Sequence, residues 1–486
     1  MHICFAVPEC VPFSKTGGLA DVAGALPRAL VKAGHEVSVY VPRYRQTKLT
    51  EASSVVRSVT VPFDDRYRFC SVLAGGEQGG VKFYFVDYPA YFDREGLYGT
   101  SAGDYRDNAE RFALFCRAVL EATKIIGIPH VFHCHDWQTA LIPVLLRTQY
   151  SEDPAFRDVA NVFTIHNMGY QGLFAPDTLP LLTLSWDLFT IAKMEFFGQV
   201  NFLKGAIVYS DQITTVSRKY SQEIQTSEFG FGLEGVLRNR SSTVTGILNG
   251  VDYEQWNPLT DRFLAVPYGP DDLSGKVKCK QDVLAVFNMA TADAALPVVG
   301  IVSRFAAQKG FDLIAQIMDR LAHEDIVVLA LGSGDRRYEE MFLRLQKQYP
   351  RKISVKIAYD DALAHKVEAG ADMILMPSRY EPCGLNQIYG LKYGTVPIVR
   401  ATGGLDDTIE SWDSRTAKGT GFKFSEYSSE SLLLTIREAL RAFRDRASWQ
   451  ALMRNGMAKD FSWTASAKEY GRVYERARQL RAGKNP

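Results

Sequence analysis

The chain has 486 residues, of which 46% are hydrophobic, 12% aromatic and 23% charged. This length exceeds a single compact core and suits two domains of ordinary size, and the composition excludes a disordered or fibrous protein. The chain carries 56 basic and 55 acidic residues, a formal net charge of +1, and has no run of lysine or arginine, so neither nucleic acid nor a membrane is expected as a partner.

The opening stretch MHICFAVPEC reads as a buried first strand, because it lacks the charged leader and the cleavage site of a signal peptide. No apolar stretch approaches the ~18 residues needed to span a bilayer. The seven cysteines are odd in number, scattered and without a C-x-x-C pair, which predicts a reducing compartment. We therefore expect a cytoplasmic protein.

Short apolar runs alternate with helical periodicity along the chain, which predicts parallel sheets covered by helices. The strand candidates of the first half are HICFAVPE, HEVSVYVPRY, VKFYFVDYP, HVFHCHD, NVFTIHN and DQITTVS. Between them, NAERFALFCRAVLEATKIIG predicts a helix that buries one stripe and ends at Gly127. The alternation restarts at LPVVGIVSRF and continues through DIVVLALGSG, KISVKIAY, DMILMPSRY and TVPIVRA. Two doubly wound, Rossmann-like α/β domains are the predicted fold class.

The boundary between the domains is predicted near GILNGVDYEQWNPLTD, where Asn249, Gly250 and Pro258 interrupt the alternation. We therefore predict an N-terminal domain over residues 1–247 and a second domain over 248–460. The remaining residues, 461–486, are predicted to form a helix that packs back on the N-terminal domain.

Two loops that follow predicted strands carry lysine beside glycine. The first is the KTGG stretch that begins at Lys15, and the second contains Arg304 and Lys309. Ligands of doubly wound sheets bind at the carboxyl ends of the strands, where helix N-termini favour anions. Two fixed cations suit a diphosphate, although each loop by itself is equally compatible with a solvated surface turn. Together the loops predict a cleft between the domains that grips one anionic ligand.

A third loop, RYEPCGLNQIYGLKYG, places Glu381 directly after a predicted strand. A carboxylate beside cations could hold sugar hydroxyls or stabilise an oxocarbenium-like centre. The alternative is a glutamate that only complements the dipole of the following helix. The stretch TGGLDDT, with Gly403 and Gly404, is a further place where the backbone could approach a ligand closely.

The first half also contains HCHDW, with His133, His135 and Asp136, and TIHNMGYQG, with His166. Two imidazoles on alternate strand residues could share a metal ion, but no third ligand is spaced convincingly, so no metal is expected. We expect one histidine to pack inward, and Asp136 and His166 to line the cleft.

Together these motifs resemble the starch/glycogen synthases of bacteria and plants, in the right order across nearly the whole chain. The carrying motifs are KTGGLADV, HCHDW, FTIHNMGYQG, GILNGVD, SRFAAQKGFDL, PSRYEPCGLNQIYGLKYGTVPIVRATGGLDDT and GTGFKF. The resemblance implies a GT-B glycosyltransferase with an active-site cleft between its domains. It also implies transfer of glucose from ADP-glucose to the 4-hydroxyl end of an α-1,4-glucan, with retention of configuration. The implied partners are ADP-glucose and a glycogen or starch primer, and no metal or organic cofactor is implied.

The resemblance also assigns roles by position. In the first domain the phosphates would be bound by Lys15, Gly17 and Gly18, and the glucosyl and acceptor side would be lined by Asp136, His166 and Asn167. In the second domain Arg304 and Lys309 would neutralise the diphosphate, and Glu381 would hold the donor glucose. The other implied donor-site residues are Tyr359 against the adenine, Gly404 and Leu405 over the phosphates, and Cys383 with Gly384 nearby.

Two positions depart from related patterns. Many related retaining transferases place a second glutamate eight residues after the first, where this chain has Tyr389, so a scheme with two carboxylates cannot be transferred. Asp406 stands where alanine is usual in the TGGLADT form of the phosphate loop, and we expect its carboxylate to point away from the diphosphate.

The rival interpretations are another retaining GT-B enzyme, such as a sucrose or trehalose-phosphate synthase, and a catalytically silent glucan-binding protein. The first should lack KTGG, and the second should have lost the cations. A bacterial cytoplasm is the expected location, or the plastid stroma for a processed plant enzyme.

Overall fold

The computed structural model describes residues 1–49, 53–63, 66–100, 102–290 and 294–483. The chain divides into two units, of which unit 1 comprises Met1–Gly250 and the segment from Trp463 onward, and unit 2 comprises Val251–Ser462. The structure therefore divides the chain after Gly250 and after Ser462. The sequence predicts these two boundaries slightly earlier, after residues 247 and 460. Residues 484–486 of the predicted terminal helix lie outside the described residues.

Unit 1 is built on a large sheet flanked by helices. Its strands are β1 (His2–Ala6), β2 (Glu36–Pro42), β3 (Ser53–Phe63), β4 (Arg66–Gln78), β5 (Val81–Asp87), β6 (Gly99–Thr100), β7 (Gly103–Asp104), β8 (Val131–His135), β9 (Ala160–Ile165), β10 (Leu173–Phe174), β11 (Glu195–Phe196), β12 (Gln199–Asn201), β13 (Gln212–Thr215) and β14 (Val244–Gly246). The order in the main sheet is β14-β13-β9-β8-β1-β2-β5-β4-β3. The first seven strands in this order, from β14 through β1 to β5, pair in parallel, as predicted.

The far edge of this sheet is antiparallel, which the sequence analysis does not anticipate. Strands β3 and β4 form a hairpin that pairs with β5. Exposed and buried residues alternate irregularly along β3, so its apolar signal is weak. A strand with one solvated face occurs in antiparallel sheets, whereas the buried strands of parallel sheets are nearly continuously apolar.

The helices of unit 1 are α1 (Gly18–Lys32), α2 (Pro89–Phe92), α3 (Asn108–Ile126), α4 (Leu141–Arg147), α5 (Thr178–Leu181), α6 (Phe202–Tyr209), α7 (Arg218–Glu223), α8 (Glu234–Asn239) and, at the end of the chain, α17 (Trp463–Arg481). Helix α3, its end at Gly127 and its buried stripe are confirmed, but burial extends beyond the stripe. Arg111 lies outside the stripe and is fully buried as well, because its guanidinium donates hydrogen bonds to the carbonyls of Tyr91 (2.8 Å) and Leu97 (2.9 Å).

Helix α17 completes the apolar core of unit 1. Its residues Tyr470, Val473 and Tyr474 are buried in the same cluster as residues of β1, β8 and β9. The Tyr474 hydroxyl also lies 2.9 Å from Nδ1 of His133, a residue of β8 with no exposed surface. This segment therefore contributes both apolar contacts and a buried polar partner.

Unit 2 contains a smaller sheet that is parallel throughout. Its strands are β15 (Val298–Val302), β16 (Val327–Gly332), β17 (Ile353–Ile357), β18 (Met373–Met376), β19 (Val396–Arg400) and β20 (Phe422–Phe424), in the order β17-β16-β15-β18-β19-β20. Its helices are α9 (Ser274–Val286), α10 (Phe311–Ala322), α11 (Arg336–Gln348), α12 (Asp361–Gly370), α13 (Asn386–Lys392), α14 (Gly403–Thr408), α15 (Ser429–Arg444) and α16 (Arg446–Met457).

All seven cysteines lie in the described part of the chain, where they are buried and form no disulfide. Among the described helices, none is both long enough and apolar enough to cross a bilayer.

We predict that Tyr474→Phe destabilises the protein by about 1–3 kcal/mol, because it leaves the buried Nδ1 of His133 without its partner. The measurement is the midpoint of urea unfolding followed by circular dichroism. Tyr67→Phe is the control, since Tyr67 is 65% exposed and its change should leave the midpoint unaltered. Equal midpoints for both variants and the unaltered chain would contradict the prediction.

Candidate active site

In unit 2 the carboxyl ends of β15 and β18 lie side by side, because these strands are paired. Strand β15 has β16 on one side and β18 on the other, so the chain order reverses between β15 and β18. Doubly wound sheets bind ligands at such a reversal. The loop after β15 carries Arg304 and Lys309, and the loop after β18 carries Glu381.

Lys309 and Glu381 form an ion pair. The Lys309 ammonium Nζ lies 2.6 Å from Oε2 and 2.8 Å from Oε1 of Glu381. The Ser378 hydroxyl donates a further hydrogen bond of 2.9 Å to Oε2. Glu381 is only 5% exposed, so its negative charge requires such partners. The alternative of a glutamate that merely complements a helix dipole is therefore not needed to explain its position.

The loop that holds Glu381 is bound to neighbouring segments through its backbone. The amide of Arg379 donates to the Gln308 carbonyl (2.8 Å), which joins this loop to the loop of Lys309. The Arg400 guanidinium donates to the Arg379 carbonyl from the end of β19. The amide of Gly404 donates to the Glu381 carbonyl (3.1 Å) from the start of α14.

Glycine is required where α14 meets this loop. Gly403 has a φ of +45°, and a Cβ atom there would lie 1.9 Å from the Glu381 carbonyl oxygen. At Gly404 the same atom would lie 2.0 Å from the carbonyl oxygen of Cys383. The two glycines thus let the helix approach the loop directly, and the Leu405 side chain that follows is fully buried in the core.

The remaining predicted residues of unit 2 lie at the same edge of the sheet with different surroundings. Arg304 is exposed, and its Nη2 lies 3.4 Å from Oε1 of Gln308. Tyr359 follows β17 and is 77% exposed. Cys383 is buried, and Gly384 has a φ of +71°, which fits the turn into α13.

Asp406 forms an ion pair with Lys423 of β20, with 2.7 Å between Oδ1 and Nζ. The pair is partly exposed, so its contribution to stability is small. Its carboxylate therefore contacts β20, and its expected orientation relative to the diphosphate stays a prediction.

In unit 1 the chain order reverses at β1, which lies between β8 and β2. The loop after β1 contains Glu9, which the sequence analysis did not single out. Its carboxylate accepts hydrogen bonds from the Thr16 amide (2.7 Å), the Thr16 hydroxyl (2.6 Å) and the Gly17 amide (3.1 Å). A charged residue in the loop that follows a buried strand is the signal that could have identified it.

Glu9 fixes the KTGG turn through hydrogen bonds from Thr16 and Gly17. It is 2% exposed, and burial raises the pKa of its carboxyl, while the hydrogen bonds from the turn oppose this shift. Because Glu9 already binds the Gly17 amide, that amide is occupied in this structure. Lys15 lies at the surface of the turn, with its Nζ 2.7 Å from Oδ1 of Asp21, and Gly18 begins α1.

The ends of β8 and β9 bring Asp136 and His166 together. The Oδ1 atom of Asp136 accepts the backbone amide of His166 at 2.7 Å. Asp136 has a φ of +57°, a strained conformation for a non-glycine residue and one that clusters at functional sites. Burial raises the pKa of its carboxyl to about 7, against the effect of the backbone hydrogen bonds. The neighbouring Asn167 accepts the Gly169 amide at 2.9 Å, which fixes the turn.

The two histidines of HCHDW have separate partners. His133 packs inward, where its Nε2 lies 2.6 Å from the Thr164 hydroxyl and its Nδ1 contacts Tyr474. His135 is also buried, and its Nδ1 lies 2.9 Å from Nε2 of His166. Within the described ranges no cluster of three or more histidine, cysteine or acidic side chains has a geometry suited to a metal ion.

Comparison with known proteins agrees with both units. Residues 2–239 match the family described as starch synthase catalytic domain, and residues 290–454 match glycosyl transferases group 1. A glycogen synthase of Koribacter versatilis (strain Ellin345) is 68% identical over 482 residues, 99% of each chain. A glycogen synthase of Anaeromyxobacter sp. (strain Fw109-5) is 46% identical over 98% of this chain and 99% of that protein.

The solved catalytic domain of starch synthase IV from Arabidopsis thaliana, bound to ADP and acarbose, has a TM-score of 0.90 at 31% identity, covering 98% of this chain and 99% of that one. Sucrose-phosphate synthase from Thermosynechococcus elongatus, at 18% identity and a TM-score of 0.60 over 99% of this chain and 100% of that one, shares the fold alone. The predicted GT-B fold class, with two Rossmann-like domains, is confirmed. The chain belongs to the family of bacterial glycogen synthases and plant starch synthases.

Proposed function

We propose that this chain is a glycogen synthase that transfers glucose from ADP-glucose to the non-reducing 4-hydroxyl end of an α-1,4-glucan, with retention of configuration. The observation that carries the proposal is the ion pair between Lys309, in the loop after β15, and Glu381, in the loop after β18. Arg304 lies in the same loop as Lys309. Cations fixed there suit a diphosphate, whose negative charge increases as its bond to glucose breaks.

In the proposed reaction, the bond between the anomeric carbon and the diphosphate oxygen breaks, and a bond to the acceptor O4 forms on the same face. The departing ADP accepts the proton of the acceptor hydroxyl. Lys309 and Arg304 stabilise the negative charge on ADP, and Glu381 accepts hydrogen bonds from the donor sugar. No nucleophilic side chain takes part, so the protein acts through orientation and charge neutralisation.

The surroundings of several other residues support the roles that we assign to them. Because the Gly17 amide is bound by Glu9, we assign the phosphate contact of the KTGG turn to the Lys15 ammonium. The Gly404 amide is likewise bound, so Gly404 and Leu405 are assigned the role of fixing the Glu381 loop. Asp136, His166 and Asn167 are assigned to the hydroxyl groups of the sugars, and exposed Tyr359 to the adenine. A ligand cleft between the two units stays a prediction.

The proposal includes no metal or organic cofactor, since Lys309 and Arg304 supply the positive charge that a metal would supply to a diphosphate. It includes a cytoplasmic location, as expected for a bacterial enzyme that draws on a soluble nucleotide sugar.

We predict that the purified protein incorporates labelled glucose from ADP-glucose into glycogen, and that UDP-glucose is a poorer donor. The same incorporation is expected after treatment with EDTA, because no step uses a metal. Release of ADP without incorporation into glycogen would indicate another acceptor. Transfer from neither donor would refute the proposal and favour a silent glucan-binding protein.

We predict that Lys309→Ala lowers kcat roughly 100-fold to 1,000-fold, while binding of glycogen changes little, because the lost charge acts on the leaving group. Lys366→Ala is the matched control. Lys366 pairs with Asp282 at 2.6 Å and is similarly buried, with 26% of its side chain exposed against 22% for Lys309. An unchanged kcat for a folded Lys309→Ala variant would contradict the assigned role.

A further inference from the structure

In unit 1, His135 and His166 form a hydrogen-bonded pair of imidazoles. The distance from Nδ1 of His135 to Nε2 of His166 is 2.9 Å, and the ring centroids are 5.2 Å apart. His135 ends β8 with no exposed surface, while His166 follows β9 and is half-buried. The pair thus links the interior of unit 1 with the end of its sheet.

Each ring has a second nitrogen that lies outside this hydrogen bond, namely Nε2 of His135 and Nδ1 of His166. The surroundings of these two nitrogens differ. Nε2 of His135 is buried and has no hydrogen-bond partner among the described residues. The nearby His133 cannot serve as that partner, because its Nε2 contacts Thr164 and its Nδ1 contacts Tyr474. The ring of Phe5 stacks on His135 at 5.2 Å, and the ring of His133 lies 4.1 Å away, so aromatic rings flank His135. On the other ring, no described residue forms a hydrogen bond with Nδ1 of His166.

Both rings are neutral near pH 7. Burial lowers the pKa of His166 to about 3 and that of His135 well below its usual value. A neutral imidazole carries one N–H and one lone pair, and the bond between the rings contains one hydrogen. Only two arrangements are therefore possible, one with His135 as the donor and the other with His166 as the donor.

If His166 were the donor, the hydrogen of His135 would sit on Nε2, a buried N–H with no acceptor. Orphaned buried N–H groups are rare, and each costs about 1–3 kcal/mol. If His135 is the donor, its buried Nε2 carries a lone pair and no hydrogen. The surrounding C–H groups carry a small positive charge, so they tolerate a lone pair better than an N–H.

We propose that His135 is a positioning residue that fixes the tautomer of His166. Its Nδ1–H donates to Nε2 of His166, which places the remaining hydrogen of His166 on Nδ1. His166 therefore presents a hydrogen-bond donor to the substrate, and its ligand is an oxygen atom with a free lone pair. Resting on the proposed function, we assign that oxygen to a sugar hydroxyl of the donor or acceptor glucose.

The direct test is the tautomer itself, in the full chain labelled with ¹⁵N at histidine. Long-range ¹H–¹⁵N correlation spectra at pH 7 distinguish the two neutral forms, and His166→Gln and His135→Phe identify the signals. We expect His135 and His166 both to carry hydrogen on Nδ1. Hydrogen on Nε2 of His166, or a charged ring, would overturn the proposal. This readout needs no activity, so it stands apart from the outcome of the glucosyl transfer assay.

A pair of variants tests the consequence for catalysis. His135→Asn retains an N–H donor near the position of Nδ1, whereas His135→Phe fills the apolar space without a donor. We expect kcat/KM to fall roughly tenfold or more in the Phe variant, through loss of one oriented hydrogen bond, and to recover in the Asn variant. In the Phe variant the His166 signal should shift to a mixture of tautomers.

A purely structural role for His135 predicts the opposite order, because Phe suits an apolar cavity better than Asn does. Activity of the Phe variant equal to or above that of the Asn variant, with both folded by circular dichroism, would therefore contradict the proposal. If either variant fails to fold, the tautomer of His166 in the unaltered chain still decides the question.

Discussion

The arrangement of unit 2 depends on a carboxylate buried beside a lysine. Glu381 is stable in its buried position because Lys309 and Ser378 contact its oxygens. The approach of α14 through Gly403 and Gly404 holds the backbone of the same loop. The lysine is therefore held in position by contacts within the protein, and such preorganisation is the usual source of electrostatic stabilisation in catalysis.

Unit 1 contains several buried polar groups at the ends of its strands. Its imidazoles share a hydrogen bond in a buried position, and burial raises the pKa values of both the Glu9 and Asp136 carboxyls. Unit 2 contributes positive charge at Lys309, which Glu381 holds, and at exposed Arg304. The diphosphate of the proposed nucleotide-sugar donor suits such cations, so the proposal agrees with the family relationship.

The sequence predicts the elements that carry strong periodicity or turn signals. The parallel strands, helix α3 and the placing of Lys309 and Glu381 on adjacent loops all follow from such signals. The β3–β4 hairpin was missed because its pattern is weak, and the burial of Arg111 because its partners are backbone carbonyls distant in sequence. Glu9 acts through contacts within its own loop, and His135 through a contact with the end of the neighbouring strand. Periodicity along one segment encodes neither. The site chemistry was accessible from motifs, whereas its supporting hydrogen bonds required coordinates.

The central claim is that Lys309, held in position by Glu381, binds the diphosphate of the donor. A crystal structure of the protein with bound ADP tests it most directly. The account predicts a phosphate oxygen within hydrogen-bond distance of Nζ of Lys309, with the Glu381 carboxylate still at the end of β18. Bound ADP whose phosphates lie away from Lys309, with the Lys309–Glu381 pair unchanged, would contradict it.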